Sequence, residues 1–371
     1  MNMKKIFFVL LFVIILAGCG NNNKETILKK WSKKVDGMDS YLMKGTLEIY
    51  RNEDLYTYDV ESAYLKKDKF RVGIINKTNN HEQIILKNDK GVYVVTPSLN
   101  KSFKFQSEWP YNNSQIYLLQ PLLIDLKNDD KYTFEEKDGK YIFAAKVNYI
   151  NDKNLTKEKI YLDKNLKLKK VEVLDDNDDV IMRLKVTKID TNNNFDDRYF
   201  DLDDSYSNNK IKDKNKSDSK ENDNNSKQDS NNNSKDNNIA NNDKSNTEAN
   251  VERNNSTSTT SKVTDVLYPM YVPVDTYLDT QDVVSLDNGT RTILTFSGDS
   301  PFTFVQSPVD SETIDYLNGD PYLVADTVGA VSDKSVAWIS NDREYYLTST
   351  SVNADELLLI ADSLSVAEVG K

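Results

Sequence analysis

Cysteine and histidine are almost missing from this 371-residue chain, which has one of each, Cys19 and His81. A disulfide needs two sulfurs and a structural zinc site needs clustered Cys and His, so neither organises the fold. A Ser-His-Asp or Cys-His arrangement would have to use His81, which lies in the polar run Asn79-Asn80-His81-Glu82 with no nucleophile signature beside it. Carboxylates, lysines, tyrosines and hydroxyls remain, and the chain reads as a non-enzyme with no cofactor and no metal. Positive charge is also short: 48 Lys and Arg against 59 Asp and Glu leave a net charge of −11. Phosphate backbones are gripped by clustered positive faces, so this balance argues against nucleic acid as a partner. An apolar run of spanning length is missing too, because Ile6 to Leu16 gives eleven residues against the roughly 20 that a membrane helix needs.

That short run follows Lys4 and Lys5 and ends in Leu16-Ala17-Gly18-Cys19. A basic start, an apolar middle and small residues at the cut make residues 1–18 a secretory signal. The ending resembles the bacterial lipobox, whose cysteine takes a diacylglycerol on sulfur and becomes the mature N-terminus. The resemblance implies lipidation at Cys19, a tether over 19–24, and a body lipid-anchored on the extracytoplasmic face of the cell membrane. Acyl chains contribute about 0.8 kcal/mol per buried CH₂, so two or three of them hold a protein firmly.

No aromatic stands between Tyr206 and Tyr268, and the apolar residues there are few and isolated. Such a stretch buries too little apolar surface to offset backbone entropy of about 1–2 kcal/mol per residue. Residues 203–263 are therefore expected to be a disordered Asn/Asp/Ser/Lys linker with a mean reach of roughly 40 Å. It divides a body over 25–202 from a second over 264–371.

The first body opens on one helical pattern, Ile27, Leu28, Trp31, Val35 and Met38, with lysines on the other side. After Gly37 the period changes to two, and about ten or eleven antiparallel strands follow, punctuated by Asp89-Lys90-Gly91, Asp138-Gly139, Asp163-Lys164-Asn165 and Asp175–Asp179. Ala63–Lys66 reads as a strand of its own, and Ser114–Leu123 as an apolar helix. The second body offers strands at Val283–Leu286, Thr290–Phe296, Phe302–Gln306, Val324–Ala325, Val336–Ile339 and Glu344–Thr348. A closing helix starts at Asn353 with Glu356 three residues on, and Leu357, Ile360, Ala361 and Leu364 line one face. The fold class is α+β.

The order of an amphipathic helix, a meander and the run Gly91-Val92-Tyr93-Val94-Val95-Thr96-Pro97-Ser98-Leu99-Asn100-Lys101-Ser102 resembles the LolA/RseB-like lipoprotein family. Glu158–Asp163 with Leu168–Val173 is similar to its late hairpin, Ile181–Ile189 to its final strand, and Phe200-Asp201-Leu202 to the place where such domains finish. Ser107-Glu108-Trp109-Pro110 followed by Ser114–Leu119 resembles the GerS type of clostridial germination lipoproteins. Residues 264–371 resemble the small α+β domain often appended to them. The resemblance implies a strongly curved antiparallel sheet, an unclosed barrel with a helical lid, and a binding or adaptor role for cell-wall or spore-cortex machinery such as a peptidoglycan amidase. The alternative it implies is a lipid- or lipoprotein-binding sensor or carrier.

Two candidate sites follow. Ile27, Leu28, Trp31 and Val35, with Ile116, Leu118, Leu119 and Leu122, would line an apolar cleft for an acyl chain; the same side chains could equally fill a core, which uses the same residue types. Trp109, Pro110 and Tyr111 sit in a polar loop and form a candidate partner surface, because Trp and Tyr are enriched at interface hot spots. Asp175–Asp179 has carboxylates for calcium but lacks the spacing of a calcium loop, and reads as a solvated turn. Glu135-Glu136 and Asp203-Asp204 are chain neighbours that face opposite ways in a strand, so they make poor acid/base pairs.

Overall fold

The computed structural model describes residues 23–51, 54–105, 107–149, 153–196, 198–206, 266–310 and 314–366. Cys19 and nearly all of the linker lie outside these residues. The first element is helix α1 (Lys24–Asp36), whose start is fixed by Asn23, its side chain accepting from the Thr26 N–H at 2.8 Å. Glu25 in the first turn and Lys33 and Lys34 in the last suit the helix dipole. Ile27, Trp31 and Val35 recur at four-residue spacing and are its buried stripe.

A meander follows, made of β1 (Ser40–Arg51), β2 (Asp54–Leu65), β3 (Lys69–Asn76), β4 (Glu82–Asn88), β5 (Gly91–Thr96) and β6 (Lys101–Phe105). Ala63–Leu65 is the end of β2 and not a separate strand, since alternation runs unbroken through it. Helix α2 (Leu119–Asn128) starts later than the sequence suggests. Residues 114–118 are not helical, and Pro121 falls in the first turn, where its missing N–H costs no helical hydrogen bond. Then come β7 (Thr133–Lys137), β8 (Lys140–Lys146), β9 (Lys157–Asp163), β10 (Leu168–Leu174) and β11 (Val180–Thr191).

Strand β11 returns to pair with β1, which gives the order β6-β5-β4-β3-β2-β1-β11-β10-β9-β8-β7. These pairings are antiparallel and the two ends do not meet, so the sheet is open. At the β1–β11 seam the register shifts after Lys44. A Cβ on Gly45 would stand 2.5 Å from the Lys185 carbonyl oxygen, so only glycine permits that approach.

After α3 (Leu202–Tyr206), the described chain resumes with β12 (Leu267–Pro269), β13 (Thr276–Leu286), β14 (Gly289–Gly298), β15 (Phe302–Pro308), β16 (Ile314–Leu317), β17 (Asp320–Val324), β18 (Thr327–Ser332), β19 (Ser335–Ser340) and β20 (Arg343–Thr348). Helix α4 (Ala354–Asp362) and β21 (Leu364–Val366) end it. Asn353 caps α4 by accepting from the Glu356 N–H at 3.0 Å. The helix stops at Asp362, and Leu364 pairs with Pro269 instead of extending its apolar face.

A seven-stranded sheet runs β13-β14-β15-β20-β19-β18-β17, with β16 absent from it. That strand crosses to the first sheet and pairs in parallel with β6, Ile314 opposite Ser102 and Leu317 opposite Phe105. One core joins α1, α2 and the inward positions of β1–β11 to Val328, Ala330, Ala337 and Ile339 of the second sheet. The C-terminal segment is therefore built onto the first, and the described residues up to 206 and from 266 on belong to one compact unit.

Candidate functional site

The helix-covered face of the large sheet is where an acyl cleft was expected. Ile27, Trp31, Val35, Ile116, Leu118, Leu119 and Leu122 are each exposed by 2% or less, and Leu28 is half-buried against the same core. They fill the face. Side chains from α1 and α2 interdigitate with Tyr41, Met43, Leu47, Phe143, Val171 and Leu184 from the strands. Beside them a cleft of about 50 Å³ remains, lined by Ile49, Ile116, Tyr117, Tyr149, Leu155 and Tyr322 among others. Ligand sites hold roughly 300–1,000 Å³, so this space admits waters and not a fatty chain.

The expected Trp109 surface is corrected. Trp109 is fully buried and Pro110 is buried beside it, across a cis peptide. The indole meets Phe70 edge-on at 6.0 Å, and the Trp109 N–H donates to the Ser107 hydroxyl at 2.9 Å. A polar flanking sequence said nothing of this, because the burial comes from β3. Tyr111 does stay half out, 40% exposed, with its hydroxyl donating to Asp68 at 2.6 Å and the Lys87 ammonium 5.0 Å above its ring.

Two carboxyls lie inside the core. Glu158 on β9 is fully buried and neither carboxylate oxygen has a hydrogen-bond partner. Burial, and then the nearby Asp125, push its carboxyl well above the usual range. Asp125 on α2 is pushed up to about 6 by burial, partly offset by a hydrogen bond from Ser114. The buried Tyr149 hydroxyl is also unpartnered and is pushed well above the usual tyrosine value, chiefly by burial. Strand parity carried the signal for Glu158: it shares a face with Ile160 and Leu162, which are core residues.

His81 sits where the two sheets meet, beside Gln83, Asp326 and Thr327, and burial lowers its basicity. Its Nε2 has no hydrogen-bond partner, and the Thr327 hydroxyl donates to the Gln83 side-chain oxygen at 2.6 Å and not to the imidazole. Among the described residues no group of three His, Cys, Asp or Glu is placed to hold a metal. The Asp175–Asp179 stretch forms a turn in which one Asp175 carboxylate oxygen accepts the N–H groups of Asn177 and Asp179 at 3.0 and 2.8 Å.

The remaining surface of note is β13. This edge strand of the second sheet is exposed along nearly its whole length, with Tyr277 and Val283 about 60% open and Leu278 and Val284 about 40%. It carries Asp279 and Asp282 but no Lys, Arg or Pro.

Comparison with known proteins adds the following. Residues 3–19 match the prokaryotic membrane lipoprotein lipid attachment site, so the chain carries a lipoprotein anchor at Cys19. The sporulation protein YdcC of Bacillus subtilis is 30% identical over 362 residues, covering 96% of this chain and 94% of that protein. The chain belongs to the YdcC family. Solved structures similar to it include the MucA/MucB complex of Pseudomonas aeruginosa (11% identity, 92% of this chain and 99% of that chain, TM-score 0.31). A LolA superfamily protein of Nitrosomonas europaea is another (15% identity, 48% of this chain and 97% of that chain, TM-score 0.28). Among the described residues of this YdcC-family chain, no helix is long and apolar enough to cross a membrane.

Proposed function

We propose that this lipoprotein is a non-enzymatic binding protein, held on the extracytoplasmic face of the membrane through Cys19, that recruits a protein partner of the cell envelope during sporulation. The β13 edge carries the reading. Exposed edges template strand addition, and soluble proteins normally blunt them with lysine, proline or bulges. One bulge follows Leu278, but from Thr280 to Leu286 the ladder is regular, with Val283 and Val284 exposed on it. Asp279 and Asp282 favour an extended partner segment that is basic. The partner class that fits the lipoprotein resemblance is a peptidoglycan amidase of the cortex machinery. The filled helix-covered face supports an adaptor over an acyl carrier, since a fatty chain would have to displace α1.

A pull-down from solubilised membranes with the mature chain, repeated with Tyr277→Lys and Val283→Lys together, tests this. The two lysines should abolish capture of a wall enzyme while leaving the thermal transition in place. Capture that survives the double substitution places the partner elsewhere, and a bound fatty chain found by mass spectrometry supports the carrier reading instead.

A further inference from the structure

The face of the large sheet that points away from α1 and α2 bears a second feature, at the β7 end. Strand pairing lays out its side chains as a grid. Lys137 stands opposite Lys140, Ile142 opposite Tyr161, Ala144 opposite Lys159, and Tyr161 opposite Lys170. Together they line a groove of about 490 Å³, within the range of ligand sites. Four lysines, Lys137, Lys140, Lys159 and Lys170, converge on it against two carboxylates, Glu135 and Asp138.

Lys170 is fixed. Its ammonium lies 3.9 Å from the centre of the Tyr161 ring and 2.9 Å from Glu172, which also accepts from Tyr161 at 2.7 Å and from Arg183 at 2.9 Å. Lys137, Lys140 and Lys159 have no carboxylate within 4.0 Å among the described residues. Like charges directly opposite in a sheet repel, as Lys137 and Lys140 do across the β7–β8 pair. Guarding a sheet edge explains a lysine on β7. It does not explain Lys159, which stands two strands inside that edge, opposite Glu172 on β10, a carboxylate already engaged by Lys170 and Arg183. An anion in the groove does.

The anchor says which anion is within reach. Helix α1 starts at Lys24, five residues past Cys19, a span of at most about 18 Å if extended. The Lys24 ammonium donates to the Tyr132 carbonyl at 3.4 Å and lies 4.5 Å from that ring. Tyr132 directly precedes Thr133, which lines the groove. Helix α1 thus starts beside the end of β7 that borders the groove.

We infer that this groove binds the phosphate of anionic phospholipid headgroups in the membrane to which Cys19 ties the chain. It sets the orientation of the body on that membrane and so which way the β13 edge points. Two or three acyl chains hold the body firmly but leave its orientation free, and a basic patch beside the anchor fixes it; here the patch would be local, on a chain whose net charge is −11. The inference rests on the lipid anchor and not on the identity of the protein partner.

Sedimentation with lipid vesicles tests it, using the mature chain from residue 19 with Cys19→Ser to remove the acyl group. Binding is expected to phosphatidylglycerol/phosphatidylcholine vesicles, not to pure phosphatidylcholine, and to fade as salt rises to about 0.5 M, where charges beyond a few ångströms are screened. Lys137→Glu, Lys140→Glu and Lys159→Glu together should cut partitioning at least about tenfold. The control, Lys67→Glu, Lys90→Glu and Lys334→Glu, makes the same change in net charge at exposed sites elsewhere and should leave partitioning within about twofold. Equal losses in both triples, no preference for the anionic lipid, or binding of soluble glycerol phosphate without vesicle binding would each overturn the inference. Circular dichroism of each triple confirms the fold, and the partner pull-down, which reads β13, should be unchanged by the groove triple in detergent.

Discussion

Glu158 and Asp125 show how one buried acid changes the pH response of the whole chain. Both have folded-state values raised above the unfolded ones, chiefly by burial. Below about pH 4 both states carry the proton and nothing is lost. Between that and about 6 for Asp125, the unfolded chain ionises while the folded one resists, so stability falls as pH rises. For Asp125 the loss is of order 3 kcal/mol at neutral pH, and Glu158 adds to it in the same direction. Glu158→Gln keeps the shape and removes the titration. It should raise the melting temperature at pH 8 and change it little at pH 4; a parent that melts higher than the variant at pH 8 would mean the carboxylate is charged and paired. Glu158 was legible in its strand parity, whereas Asp125, set in Leu122-Leu123-Ile124-Asp125-Leu126, was hidden in an apolar run.

Helix α1 and strands such as β8 and β9 were readable as elements because each keeps a clean period over its length, and β4 and β5 because turn signals bound them. The Asn23 cap and the Trp31 stripe follow from local chemistry. Asn23→Ala should cost about 1 kcal/mol and Trp31→Ala about 3–5 kcal/mol, both measured by urea unfolding of the mature chain. An unstable Trp31→Ala chain is the mark of a packed core; a variant as stable as the parent would mean α1 is a loose lid after all. The second body was less legible. Strand β18 is buried at five successive positions, so it shows no alternation. Four-residue β16 exists as a strand because β6 offers it an edge. Trp109 belongs with these, since its ring packs on Phe70 of β3, far away in the chain.

The two sheets are held together by more than β16. Arg51 donates to the Ala325 and Leu323 carbonyls at 3.0 Å each and pairs with Asp362 at 2.6 Å. Gln83 donates to the Val328 carbonyl at 2.9 Å and accepts from the Thr327 hydroxyl at 2.6 Å inside the joint. Lys101, buried to 1% exposure, pairs with Asp315 at 2.8 Å and Glu344 at 2.9 Å. Burial alone would lower its basicity, but those two carboxylates hold it above the ordinary lysine value. A protease cut anywhere between residues 207 and 265 should therefore leave two fragments that co-elute on gel filtration. Separation of the fragments under native conditions would show that the joint is weaker than its contacts imply. Arg51→Ala with Lys101→Ala should loosen it, read as earlier separation in urea.

By itself the sequence determined the anchor at Cys19, the single Cys and single His, the helix-then-meander order and the place of most strands in the first body. Each is a local property: a motif, a count, or a repeat of two or four residues. Only the tertiary structure decided that the helix-covered face is full, that Trp109 lies inside, that the C-terminal segment lends a strand to the first sheet, and that four lysines from four strands meet in one groove. Periodicity reports which side of an element is apolar or charged. What comes to cover that side depends on residues distant in the chain, and their arrival leaves no local trace.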